Sequence, residues 1–148
     1  GEIGDGSDVD LLLDKAREHS PDSYNRELAI ESAGKAGGAA AIPALVAELS
    51  NPSLDTEQDA VRALYLTGSR EAVPVLITLL RSPEWRVSST AEFGLEVITH
   101  GSGASRNEMK PPPPEAYAKW VRWWTQNGGT ATIFKSDKCG TIEPLTGP

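Results

Sequence analysis

The sequence predicts an all-α fold: a right-handed α–α superhelix of about seven helices, closed by a C-terminal capping helix. Three observations carry this. First, one pattern returns at an offset of 31: Ile42-Pro43 becomes Val73-Pro74, Asn51-Pro52 becomes Ser82-Pro83, and Ala29 becomes Ala60 and then Ala91. Second, apolar residues inside each unit fall at helical spacing rather than in alternation. Third, a last helix-length segment holds Trp120, Trp123 and Trp124 behind a Pro-rich stretch. A repeat of this length, helical in both halves, buries its apolar side only by stacking on its neighbours.

The elements follow in order. Residues 1–7 are rich in Gly and Asp. Ser7 and Asp10 have capping-box spacing, and Val9, Leu12, Leu13 and Ala16 form one apolar stripe behind them. This helix ends near His19 and reads as the second half of an incomplete first repeat, with its stripe two residues out of register with later ones. Helix A of the first full repeat, about Tyr24 to Ala36, offers Leu28, Ala29 and Ala33 inward. Gly34, Gly37 and Gly38 weaken its end and form the turn. Helix B carries Ile42, Leu45, Val46 and Leu49, with Pro43 in the first turn, where a missing N–H costs nothing.

The second repeat is the cleanest. Asp55 and Gln58 are spaced as a capping box. Ala60, Val61, Leu64 and Tyr65 face inward, Gly68 breaks the helix, and Val73, Leu76, Ile77 and Leu80 repeat the B stripe around Pro74. Ser82 caps a third A helix that begins with Pro83, ends near Thr99 and carries Val87, Ala91, Leu95 and Ile98. No third B helix follows, so this A helix is expected to be unpaired. Residues 101–107 are a Gly/Ser-rich loop, and Pro111 to Pro114 extend the chain as a spacer that lets the last helix fold back. That helix places Tyr117, Trp120, Val121 and Trp124 on one face and Trp123 on the flank, and Asn127-Gly128-Gly129 ends it.

The chain therefore reads as one repeat domain over residues 1–127. Its units lie at about 8–21 (partial), 22–52, 53–83 and 84–100 (partial), followed by a linker at 101–114 and a closing helix at 115–127. An irregular tail occupies 128–148, with a weakly strand-like segment at Thr130 to Phe134.

Composition removes several classes of function. The net charge of −7 arises at the N-terminus, since residues 1–31 hold nine of 21 acidic and three of 14 basic side chains. The remainder is close to neutral, which gives no support to nucleic-acid binding. No apolar run reaches the ~18 residues that a membrane span needs, and no basic-then-apolar leader opens the chain. Cys139 is the single cysteine, so no intramolecular disulfide can form. It lies in a polar stretch without CxxC or an adjacent His, where a free thiol is expected. The short Gly101-Ser-Gly103 sequence follows a helix, not a strand, and is no dinucleotide fingerprint.

Arg26-Glu-Leu-Ala, the helix Ile42-Pro-Ala-Leu-Val-Ala-Glu-Leu and the helix Val73-Pro-Val-Leu-Ile-Thr-Leu-Leu resemble short HEAT repeats. The similarity is to the ~31-residue kind found in bacterial HEAT-repeat proteins and in phycobilisome-lyase-type sequences. It covers residues 22–99 well and 8–19 loosely. The ending, from Ile98-Thr99 to Trp120-x-x-Trp123-Trp124, is similar to that of bacterial HEAT-repeat proteins that are often exported. The resemblance implies a protein-binding scaffold whose B helices line the concave side. It also implies export to the periplasm or cell exterior, with the cytoplasm as the alternative. His19 and His100 are not followed by Glu, so the His-Glu pairs of HEAT-built iron hydroxylases are absent.

The expected function is a non-enzymatic scaffold that binds an unidentified protein or peptide on the concave face. A bilin-lyase-like, chromophore-handling protein is the alternative. No catalytic or metal constellation and no cofactor is expected, nor any nucleic acid or membrane insertion, and the chain is expected to be a monomer. Candidate contact residues are Glu48, Thr78 and Arg81 on the B helices, for which a solvated face is the simpler reading, and Trp123 on the closing helix. That helix has its own simpler role, covering the open end of the stack.

Overall fold

The computed structural model describes residues 6–18, 24–50, 53–100, 110–136 and 142–144. Seven α-helices occupy the described residues: α1 (Gly6–Arg17), α2 (Tyr24–Gly37), α3 (Ile42–Glu48), α4 (Leu54–Leu66), α5 (Ala72–Leu79), α6 (Trp85–His100) and α7 (Ala116–Asn127). A 3-10 turn, Gly38–Ala41, leads into α3, and strands β1 (Phe134–Ser136) and β2 (Ile142–Pro144) follow α7. The fold is the all-α stack that the repeat requires.

Helices α2, α4 and α6 form one layer, each packed along the next, while α3 rests on α4 and α5 on α6. Small residues set the close spacing of this layer. A Cβ added at Gly34 would run into the backbone carbonyl of Ala63, and one at Gly94 would enter the ring of Tyr65. Polar contacts repeat at the same offset as the sequence. Arg62 meets Glu31, Arg86 meets Asp55 and Arg17 meets Glu48, each pair separated by 31 residues. The Arg17–Glu48 pair puts α1 in the place of a B helix before α3, as the partial repeat requires, and α1 packs along α2.

The turns follow their glycines. Gly38 and Gly68 hold positive φ, of 52° and 60°, a region open to residues without a Cβ. Pro43 and Pro74 both sit in first turns, the position that tolerates a missing N–H. The core runs through the stack as Val9, Leu13, Ile30, Leu45, Leu64, Leu76, Leu95 and Ile98, all essentially without solvent contact.

Several local expectations are corrected. The cap of α4 is Ser53, whose hydroxyl accepts from the Thr56 N–H at 3.4 Å. Asp55 and Gln58 instead reach across to Arg86. Leu28 is 48% exposed and Ile30 is buried in its stead. The inward arc of α2 is turned by Arg26, whose guanidinium is drawn inside to Thr56 Oγ1 at 2.8 Å and the Ala16 carbonyl at 3.1 Å. Val46 also points outward, because Leu45 fills the interior and Glu48 turns in to meet Arg17.

Helix α7 lies beside α5, taking the next place in the B layer. Its direction is reversed. Tyr117, near its start, meets Arg81 just beyond the end of α5, and Trp124, near its finish, meets Arg70 just before the start of α5. It therefore runs antiparallel to α5, whereas successive B helices run parallel. Helix α6 is 16 residues or about 24 Å long, and the 15 residues between α6 and α7 are enough to span that length. Trp120 is buried, as its place on the apolar face predicts, and Ala116 is buried with it, whereas Val121 of the same face is 38% exposed.

The segment expected to be an irregular tail is partly structured. Strands β1 and β2 pair antiparallel, with Lys135 opposite Glu143, and β1 lies against α6. Ile133 is buried in the core. Arg70 donates to the carbonyls of Gly128 and Ala131, and the Lys135 ammonium donates to the Lys35 carbonyl at the end of α2. The segment after α7 thus crosses the helix ends from α6 back toward α2.

Candidate binding surface

Ion pairs join successive helices in both layers, Arg17 with Glu48 in one and Arg62 with Glu31 and Arg86 with Asp55 in the other. Along α2, α4 and α6 polar groups engage one another. Arg62 holds Glu27, Glu31 and Asp59 together at the α2–α4 joint. Arg86 donates to Asp55 and to Gln58, and Gln58 donates to Thr90. Burial acts to weaken the proton hold of the Arg62 guanidinium, but Glu27, Tyr65, Glu31 and Asp59 outweigh it and leave its pKa above the ordinary value. Asp59 is 8% exposed. Its burial, opposed by Arg62 and reinforced by Glu27, Glu31 and Asp55, pushes its pKa up to about 6. Among the described residues no buried side-chain nitrogen or oxygen lacks a hydrogen-bond partner.

Apolar side chains are exposed on both layers: Tyr24, Leu28 and Trp85 on α2 and α6, and others on the second layer, α1, α3, α5 and α7. Val46 and Val121 are 39% and 38% exposed, and Pro43, Ala47, Pro74 and Thr78 are exposed beside them. Arginine–aromatic pairs join the two ends of α5 to α7. The Arg81 guanidinium lies 5.0 Å from the centre of the Tyr117 ring, and that of Arg70 lies 5.8 Å from the centre of the Trp124 ring. Tyr117, Val121 and Trp124 are spaced i, i+4, i+7 and share one side of α7.

The four residues singled out in the sequence do not form one cluster. Glu48 is 6% exposed and accepts from Arg17 Nε at 3.1 Å, so it is a buried partner at the α1–α3 step rather than an open contact. Thr78 is exposed, its hydroxyl donating to the Pro74 carbonyl at 3.0 Å. Arg81 is exposed on Tyr117. Trp123 is half-buried, edge-on to Trp120 at 5.7 Å and near-parallel to Trp124 at 6.3 Å. Of the three candidates on the B helices only Arg81 contacts α7, through the Tyr117 ring, and Arg70 does the same at Trp124; no local pattern marks this pairing, because the reversal of α7 decides which residues meet. His19 and Cys139 lie outside the described residues.

Among the described residues no group of three or more His, Cys, Asp or Glu side chains converges as metal donors would. No helix among them is long and apolar enough to cross a membrane. Nothing among curated proteins or solved structures matches the chain. Residues 9–96 match the sequence pattern of HEAT repeats. That match spans more than half of the chain and covers the stacked hairpins from α1 to α6, and the chain belongs to the HEAT-repeat family.

Proposed function

We propose that this chain is a non-enzymatic scaffold that binds a protein or peptide on the outer face of α1, α3, α5 and α7, the side that the resemblance to HEAT solenoids makes concave. HEAT repeats commonly serve as protein-binding scaffolds. One observation supports the choice of face: both layers expose apolar side chains, and on this one the guanidinium of Arg81 lies exposed on the Tyr117 ring. Exposed apolar groups gain from burial at about 25 cal/mol per Å².

The test is site-specific photocrosslinking. A photoreactive side chain at Thr78, on the proposed face, should trap a partner in the native source, and one at Leu28, on the opposite layer, should not. Capture from Leu28 alone would reverse the assignment of the face. A failure to crosslink from either position, with catalytic turnover of a small substrate, would end the scaffold reading.

A further inference from the structure

We propose that the joint between α2 and α4 is a proton-operated clasp: with a proton on Asp59 it is shut, and loss of that proton loosens α1 and α2 from the rest of the stack. The clasp does not depend on which face of the stack binds a partner.

Three carboxylate oxygens, from Glu27, Glu31 and Asp59, converge on one nitrogen, Nη1 of Arg62. Glu31 lies 3.3 Å from it and Asp59 3.4 Å. A guanidinium Nη carries only two hydrogens, so it cannot serve three acceptors fully. Solvent has little access to Asp59, which is 8% exposed. With all three carboxylates ionised, the joint sets three negative charges against one positive. A proton on Asp59 removes one of these charges and turns an acceptor into a donor. Burial, with the charges of Glu27, Glu31 and Asp55, outweighs Arg62 and pushes the Asp59 pKa up to about 6.

The next joint is built without this conflict. Gln58 and Thr90 stand 31 residues after Glu27 and Asp59, and there the Gln58 amide donates to the Thr90 hydroxyl at 3.2 Å. Where the α4–α6 joint pairs a donor with an acceptor, the α2–α4 joint sets two acids, and only a proton makes a donor of one. Position 59 is neutral in the other two units, as Leu28 and Thr90, so stacking itself needs no acid there. The other charged groups around α4 have partners of their own or add negative charge. Arg26 of α2 donates to Thr56 and the Ala16 carbonyl, Arg86 of α6 holds Asp55, and Glu48 of α3 is held by Arg17. Glu57 of α4 has Glu84 for a neighbour, and α5 contains no charged residue.

The helices cannot spread these charges while they stay packed, because Gly34 of α2 sits against the backbone carbonyl of Ala63 on α4. A stacked unit touches only its neighbours, so a terminal one opens without carrying the others with it. In the described stack α1 and α2 are that terminal unit.

The experiment is hydrogen exchange of the whole chain, read by mass spectrometry in urea below the unfolding midpoint, at pH 5 and at pH 8. Rates are corrected for the base catalysis of exchange itself. The amides of α1 and α2 should exchange through an opening of their own, less protected than α5 and α6 and with a smaller dependence on urea. Protection in that opening should fall about tenfold from pH 5 to pH 8, as follows for a group whose pKa drops from about 6 to 3.8 when the joint parts. Asp59→Asn should keep the opening and lose most of that fall. Amides of α1 and α2 that exchange only when those of α5 and α6 do would mean that the chain opens as a whole. Absence of the fall would mean that no proton holds the joint, and an undiminished fall in Asp59→Asn would place the titrating group elsewhere. Each of these results overturns the clasp.

Discussion

Arg62 and Glu31 are 31 residues apart in sequence and 3.3 Å apart in space. The sequence period is thus also the step from one hairpin to the next, and the polar outside of α2, α4 and α6 is built on it as strictly as the core. At this joint one guanidinium serves three carboxylates, those of Glu27, Glu31 and Asp59. The surplus of negative charge and the burial of Asp59 have a consequence for stability.

Asp59 has a folded-state pKa of about 6 against an ordinary value of 3.8. The folded chain therefore holds a proton that the unfolded chain has already lost between these values, and stability falls as pH rises through that window. Burial also raises Glu57 and Glu92, which act in the same direction, and Glu71, lowered by its hydrogen bond from Ser69, opposes them. The urea midpoint should be higher at pH 5 than at pH 7. Asp59→Asn should raise stability at pH 7 by about 1–3 kcal/mol and flatten the profile. A carboxyl titration by NMR that puts Asp59 near 4 would refute the assignment.

Gly34→Ala tests the close approach of α2 and α4. A helical Gly replaced by Ala ordinarily gains up to ~1 kcal/mol. Here the added Cβ meets the carbonyl of Ala63, a backbone atom that cannot swing aside, and overpacking of this kind costs about 1–3 kcal/mol. The clash should win, lowering the denaturation midpoint. Gly129→Ala, where nothing lies within 4 Å, should change stability by no more than ~0.5 kcal/mol. Equal midpoints for the two variants would show that the helices stand further apart.

The stack was legible in the sequence because repetition supplied the missing third dimension: residues at equal places in two units had to share a side of the layer. Pro43 and Pro74, and Leu45 and Leu76, could be placed this way without coordinates. The errors fall where periodicity is silent. The rotation of α2 depends on Arg26 being drawn inside by Thr56 and the Ala16 carbonyl, one unit away and one helix back, and it turns Leu28 outward against its helical spacing. The cap at Ser53 competed with an equally good pattern at Asp55. Helix α7 has no partner unit to be compared with. Its reversal, and with it the pairing of Arg81 with Tyr117, follows from the long connection and not from any local pattern.

Leu76 lies in the interior between α5 and α6 without solvent contact. Leu76→Asp puts an unpaired carboxylate there, at a cost of several kcal/mol, which is a large part of the stability of a domain this size. The variant should fail to accumulate as a folded species by circular dichroism, while Thr78→Asp, two residues on and exposed, should melt within a few degrees of wild type. Cooperative melting of Leu76→Asp at the wild-type temperature would mean that the B stripe is misassigned.

Removal of residues 115–148 strips the stack of α7 and of the segment that follows it. Trp120, Ala116 and Ile133 leave the core together, Arg70 loses the carbonyls of Gly128 and Ala131, and Lys35 loses the Lys135 ammonium at its carbonyl. The uncovered sides of α5 and α6 then present Leu80, Ile77 and their neighbours to water, and an exposed apolar patch at the end of a solenoid drives association. Sedimentation should show the truncated chain assembling as concentration rises while the full chain does not. Arg70→Ala separates the contributions of helix and tail: it removes the link to residues 128 and 131 and the stacking on Trp124 but leaves Trp120 in place. It should therefore lower the melting temperature by several degrees, as loss of hydrogen bonds worth about 1–2 kcal/mol would, without causing association. A truncated chain that stays monodisperse at high concentration would show that α7 is dispensable as a cover.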